Sequence, residues 1–149
     1  MEPKIRPAQV SDVSAIFGLI QELAIYEKAP EQVSNTENQL SIDLFDKRLC
    51  EAIVAEIDSE IIGFALYYTS YSTWKGACLY LEDFYVKESK RKLGVGQLLF
   101  DEVLLVAKRK QVKRMDWQVL DWNEPAIRFY QKQHAILDPE WLNGRLFFE

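Results

Sequence analysis

A chain of 149 residues with 48% hydrophobic and 28% charged side chains is long enough for a single domain with a sizeable core, and its composition is that of an ordinary soluble globular protein. A net charge of −5 argues against nucleic acid as a partner. No apolar run is long enough to span a bilayer, "MEPKIRPAQV" does not resemble a signal peptide, and Cys50, Cys78 and the lone His134 offer no metal-ligand spacing, so reduced thiols, a cytoplasmic location and no metal are expected.

In chain order, "KIRPA" reads as a short first strand ending at Pro7. From Ser11, the apolar residues Val13, Ile16, Phe17, Ile20, Leu23 and Ala24 recur at helical spacing and predict a helix that ends near 27–30. "TENQL" opens with Thr36 and has Gln39 three residues on, which predicts a capped second helix. "CEAIVAEI" and "IIGFALYYTSY" read as strands joined by "DSE" into a hairpin. "STWKG" turns the chain into a fourth strand, "ACLYLEDFYV". Val95, Leu98, Leu99, Glu102, Val103 and Val106 predict a third helix running to about Lys110. "RMDWQVL" is the fifth predicted strand, and Asn123 caps a fourth helix with Pro125 in its first turn. "RLFFE" is predicted to close the chain as a final strand. The order β-α-α-β-β-β-α-β-α-β implies a mixed α/β sheet with helices on both faces.

Charge is unevenly spread. Residues 1–60 hold 12 acidic and 5 basic side chains, whereas residues 87–114 hold 9 basic and 3 acidic. That asymmetry suggests one pole for an anion and another for a cation. The basic pole contains "SKRKLGVGQLLF", between a strand and a helix. A helix start offers N–H groups and a partial positive charge, and glycine lets a ligand approach the backbone, so a phosphate group fits there.

"RKLGVG", so placed, matches the R-x-x-G-x-G signature, and the chain resembles the GNAT superfamily of acyl-CoA-dependent N-acetyltransferases. "YLEDFYV", "WNEPAIRFY", "IRPA", "ELAIYEKAPEQV" and "IIGFALYY" are similar to the diamine (spermidine/spermine) acetyltransferase branch over nearly the whole chain. "YSTWKG" and "VLDWN" look more like the sister branch that acetylates thialysine, because Ser72 stands where the polyamine enzymes carry an acidic residue. The resemblance implies a GNAT acyltransferase fold: a mostly antiparallel central sheet with a splayed central strand pair. It also implies acetyl-CoA as donor, a small-molecule amine as acceptor and a homodimer, with neither nucleic acid nor membrane as partner.

By the same resemblance, the segment Arg91, Lys92, Leu93, Gly94, Val95 and Gly96 is the pyrophosphate cradle, with Lys87 and Lys90 at its rim. Phe84, Tyr85 and Val86 would pair with the pantetheine arm through their backbone, and Asn123, Glu124, Pro125, Ala126 and Tyr130 would line it. Amine acetylation needs a base to take the ammonium proton and an acid for the departing thiolate. The resemblance gives these roles to Glu82, acting through water, and to Tyr130. It places Tyr26, Glu27, Glu31, Trp74, Glu82 and Asp83 around the acceptor. Carboxylates and an aromatic face suit an ammonium group. Neighbouring strand residues face opposite sides, so only one of Glu82 and Asp83 is expected on the substrate face. His134-Ala135 departs from the family's Gly-Ala, and His134 is read as a surface residue. The other readings are a protein or peptide N-acetyltransferase of the same fold and a non-catalytic acyl-CoA-binding module; retention of Tyr130 and Glu82 speaks against the latter.

Overall fold

Five strands follow one another across the sheet in chain order: β1 (Lys4–Pro7), β2 (Glu51–Ile57), β3 (Glu60–Ser72), β4 (Gly76–Val86) and β5 (Arg114–Asp116). The first three pairings are antiparallel and β4–β5 is parallel. The structure is a computed structural model that describes residues 2–148. It divides into two compact units, Met1–Gln118 and Val119–Glu149. The first contains the whole sheet together with helices α1 (Val13–Tyr26), α2 (Glu37–Ser41) and α3 (Val95–Arg109); the second contains α4 (Glu124–Lys132).

Local chemistry sets the element boundaries. Thr36 Oγ1 accepts the Gln39 N–H at 3.1 Å, which caps α2 as its sequence predicts. Asp58 and Ser59 both have positive φ, 50° and 65°, a two-residue turn whose twist matches the strands that it joins. At the start of α1, the buried Asp12 accepts hydrogen bonds from the two terminal Arg6 guanidinium nitrogens at 2.7 and 3.0 Å and from the Gln9 N–H at 2.7 Å. Those three donors hold its carboxyl below the usual carboxylate range, the Arg6 hydrogen bonds first among them.

Strand alternation divides the core between two faces of the sheet. Ala52 and Val54 of β2 join Phe64 and Leu66 of β3, Tyr85 of β4, Val13, Ile16 and Leu19 of α1, and Leu40 of α2. Ile53, Ala55 and Ile57, on the opposite face of β2, are also buried. α3 buries Val95, Leu99, Phe100, Val103 and Val106 and contacts β2, β3 and β4. Helices therefore cover both faces, as the order of elements implies.

Two expectations are corrected. The fifth strand is only Arg114–Asp116, shorter than "RMDWQVL". Residues 145–148 of "RLFFE" form no strand, and Glu149 lies outside the described residues. Leu146, Phe147 and Phe148 are 85%, 80% and 92% exposed. Strand propensity reflects the fit of a side chain to a pleated, half-buried surface, and these residues have no such surface under them. Among the described residues, no helix is long and apolar enough to cross a membrane.

Candidate active site

β4 is paired with β5 only over Cys78–Tyr80, while β4 itself runs on to Val86. Past Tyr80, the edge of β4 that faces away from β3 has left the β5 ladder, which is the splay that the resemblance implies. Phe84, Tyr85 and Val86 remain in register with Ala65, Phe64 and Gly63 of β3. A Cβ on Gly63 would stand 3.0 Å from the Tyr85 carbonyl oxygen, so glycine is what lets β3 approach β4 at this point. Phe84 turns its ring onto Phe100 of α3, with centroids 5.6 Å apart. The Val86 carbonyl accepts the Arg91 Nε–H at 2.9 Å.

The predicted basic loop is a 3-10 helix over Glu88–Leu93, and Gly94 joins it to α3. Gly94 has φ +74°, a conformation that glycine takes without strain, and a Cβ there would meet nothing within 4 Å. The protein's own packing leaves that side of Gly94 open. The first ladder bond at the helix start is Leu98 N–H to the Gly94 carbonyl, so the Val95 and Gly96 N–H groups precede the ladder. Val95 is buried and anchors the turn, whereas Lys92 and Leu93 are exposed. Lys87 is not simply a rim charge: its Nζ lies 2.8 Å from Glu22 Oε2 on α1, and that bond raises its pKa.

The carboxylates of β4 depart from simple alternation. Leu66 pairs with Asp83 and Tyr67 with Leu81, so Glu82 is the extra residue of a β-bulge. Leu81 and Asp83, two apart in sequence, thus oppose adjacent residues of β3. The bulge interrupts the strict alternation on which the expectation of opposite faces for Glu82 and Asp83 was based. Glu82 is exposed and Asp83 half-buried. Burial, then the charge of Glu82, then that of Glu27 at the end of α1, push the Asp83 carboxyl up to about 7. Glu27 is half-buried, and burial raises its own pKa. Three of the predicted acceptor carboxylates are thus electrostatic neighbours.

Of the other predicted acceptor residues, Tyr26 directly precedes Glu27 and lies beside Arg91, whose guanidinium carbon is 5.1 Å from its ring centroid. Glu31 is exposed on the 3-10 turn Pro30–Gln32. Trp74, 86% exposed, sits on the turn between β3 and β4. At a rise of about 3.3 Å per residue, the length of β4 from Gly76 to Asp83 puts that turn roughly 20 Å from Asp83 in the same chain. Ser72 Oγ accepts the Trp74 and Lys75 N–H groups at 3.2 and 3.1 Å and shapes the turn.

Sequence reasoning missed Glu22. It accepts Lys87 Nζ and, at 3.3 Å, the Tyr85 hydroxyl. Its signal was available, because Glu22 lies one helical turn before Tyr26 and so shares its face. A cavity of about 500 Å³ is lined by Arg6, Asp12, Glu22, Glu56 and Lys87, among others, but by none of Glu27, Glu82, Asp83 or the cradle residues. Its cations are already ion-paired with its carboxylates, and it is not the candidate active site.

In the second unit, Asn123 Oδ1 accepts the Ala126 N–H at 3.3 Å and caps α4, with Glu124 and Pro125 opening its first turn. Tyr130 is buried, and its ring packs edge-on against Phe129 at 5.6 Å. His134, with φ 64°, is exposed just beyond the helix.

The profile of the Acetyltransferase (GNAT) family matches residues 18–135. The chain is 41% identical to thialysine N-epsilon-acetyltransferase of Bos taurus over 85% of this chain and 80% of that protein. It is 33% identical to the human spermidine/spermine N(1)-acetyltransferase-like protein 1, covering 89% of this chain but 20% of that protein. Among solved structures, an aminoglycoside acetyltransferase from an uncultured soil metagenomic sample has the same fold, with TM-score 0.80, 16% identity, and coverage of 99% of this chain and 97% of that one. An integron cassette protein from the mobile metagenome of V. cholerae gives TM-score 0.79 at 23% identity, covering 99% and 94% of the two chains. A matched family profile, identity above 30% across most of the chain, and a splayed β4 that leads into a glycine-jointed helix start agree: the chain belongs to the GNAT family of acetyltransferases.

Proposed function

We propose that the protein transfers the acetyl group of acetyl-CoA to a primary amine of a small molecule, and that the preferred acceptor is thialysine-like. The carrying observation is the cluster of Glu27, Glu82 and Asp83, in which burial, and then the charges of Glu82 and Glu27, raise the Asp83 carboxyl to about 7. Such a cluster is relieved by an ammonium group, which supplies the positive charge that the carboxylates lack. A screen of acetyl-CoA turnover over thialysine, lysine, spermidine and putrescine tests the reading, and no turnover with any of them would overturn it.

The donor side fits an acyl-CoA. Gly94 leaves an open face that a Cβ would occupy, and the first N–H groups of α3 provide hydrogen-bond donors and the positive end of a helix dipole for a pyrophosphate. Acetyl-CoA supplies the activated acetyl group. The chain's own residues do the rest. Asp83 and Glu27 hold the ammonium, Glu82 takes its proton through water, and the Tyr130 hydroxyl donates its proton to the departing sulfur. The β4 backbone at Phe84 and Tyr85 pairs with the pantetheine arm.

Gly94→Val and Gly96→Val are expected to raise the acetyl-CoA KM at least tenfold, through strain at the left-handed residue and lost backbone approach. Lys92→Ala is expected to change it less than about fivefold, because an exposed charge contributes at most about 1 kcal/mol. Steady-state kinetics with acetyl-CoA varied checks both. An unchanged KM in Gly96→Val would remove the cradle assignment.

A cytoplasmic homodimer completes the proposal. Trp74 and Ser72 lie roughly 20 Å from Asp83 along β4, so they can serve an acceptor only in the site of a second copy. The exposed apolar side chains Trp141, Leu142, Leu146, Phe147 and Phe148 suit cover by another chain. Ser72→Asp keeps the acceptor oxygen that the turn needs and adds a charge. Thialysine carries its own carboxylate, and an added negative wall would repel it; a polyamine would be attracted. The kcat/KM ratio of thialysine to spermidine is expected to exceed one in the parent and to fall by about fivefold, ~1 kcal/mol, in Ser72→Asp. Sedimentation equilibrium run beside the kinetics checks the dimer, and a monomer that shows the same specificity shift would refute the contribution in trans.

A further inference from the structure

The first signature arginine of the cradle is turned back onto the protein. Arg91 Nε donates to the Val86 carbonyl at 2.9 Å. Its guanidinium carbon lies 5.1 Å from the Tyr26 ring centroid and 5.4 Å from that of Tyr85. The Tyr85 hydroxyl reaches Glu22 at 3.3 Å, and Lys87 holds the other Glu22 oxygen at 2.8 Å. Glu22 and Tyr26 lie one turn apart on α1 and share a face. The end of β4 and the cradle segment therefore grip one face of the last turn of α1.

That turn carries the acceptor carboxylate. Tyr26 is the final helical residue, Glu27 follows it directly, and Lys28 leaves the helix with φ 63°. The Glu27 N–H still donates to the Leu23 carbonyl at 2.9 Å, so the backbone closes the helix end, and where that end lies against the sheet is set by the side chains that grip its last turn. Glu27 acts on Asp83 by its charge, so its position matters to the cluster.

We infer that Arg91 is a positioning residue that couples the acetyl-CoA cradle to the amine site by clamping Tyr26. The inference rests on the amine acetyltransferase reading for its kinetic consequence only. Filling the cradle sets the 3-10 segment that contains Arg91, and Arg91 sets α1 and Glu27. A planar guanidinium stacks over two rings while its Nε holds a carbonyl; an ammonium has the charge without that geometry.

The experiment compares Arg91→Lys, Arg91→Gln, Tyr26→Leu and the Arg91→Lys/Tyr26→Leu pair, each checked for folding by circular dichroism. Amine KM, acetyl-CoA KM and kcat are measured, with amide hydrogen exchange over residues 23–29. In both Arg91 variants, amine KM is expected to rise by about fivefold or more and exchange over 23–29 to quicken, although an amine held at Asp83 need not touch Arg91. Tyr26→Leu should give the same rise, and the double variant little further change, because either substitution opens the same clamp. Arg91→Lys with parental amine KM and parental exchange would overturn the inference, as would acetyl-CoA KM rising alone in Arg91→Gln, which marks a phosphate counter-charge. Should the parent acetylate none of the amines, the proposed function fails, and the exchange comparison still decides the clamp.

Discussion

Tyr130→Phe is expected to lower kcat by about 10²–10⁴-fold while leaving the amine KM and the thermal midpoint nearly unchanged. The substitution removes one hydroxyl and keeps the ring that packs edge-on against Phe129. A thiolate leaving without a proton donor must take its proton from water, and the loss falls on the chemical step rather than on binding. Equal turnover in the two proteins would make Tyr130 a packing residue of α4. A drop in thermal midpoint of many degrees alongside the lost activity would point to packing as well.

Much of the scaffold was legible because its signals are local. Thr36 and Asn123 announce their helix starts by chemistry that acts within three residues, and both side chains accept the N–H that this chemistry requires. The hairpin at Asp58–Ser59 follows from two strand-like runs with a short polar turn between them. What sequence could not give depends on partners distant along the chain. The bulge at Glu82 is a property of two strands in register, so alternation read along β4 alone could not find it. That Arg91 has Tyr26 and Tyr85 beneath its guanidinium is equally invisible along the chain. "RLFFE" has strand propensity, but propensity supplies no neighbour, and residues 145–148 stay out of the sheet. The branch of the family was legible for a different reason: short motifs such as "YSTW" are read by likeness, without a fold.

Asp83 is expected to make activity and stability respond oppositely to pH. Its carboxyl is raised from the ordinary 3.8 to about 7 by burial and by the charges of Glu82 and Glu27. Near neutrality it is therefore only partly ionised, and the ionised form is the one that holds an ammonium. The amine's own titration also steepens any pH profile, so the informative quantity is the ratio of kcat/KM for the parent to that for Asp83→Asn at each pH, in which the free amine cancels. That ratio is expected to rise through pH 7 and to level off about 10–100-fold higher, the usual range for a charge-assisted hydrogen bond. In the Glu82→Gln background the midpoint should move to lower pH, because one of the like charges that raise Asp83 has gone. Stability runs the other way. The folded chain binds this proton more tightly than the unfolded chain, so the stabilisation is fully present below about 4 and is lost as pH rises through about 7. Asp83→Asn removes the loss. At pH 8 it should stabilise the protein by on the order of 2–4 kcal/mol relative to the parent, and the gain should shrink towards pH 4. Denaturant unfolding at pH 5 and pH 8 measures it. A variant that is less active but no more stable at pH 8 would mean that Asp83 is ionised at no cost in the fold, and that the carboxylate cluster does not store the strain by which it attracts an amine.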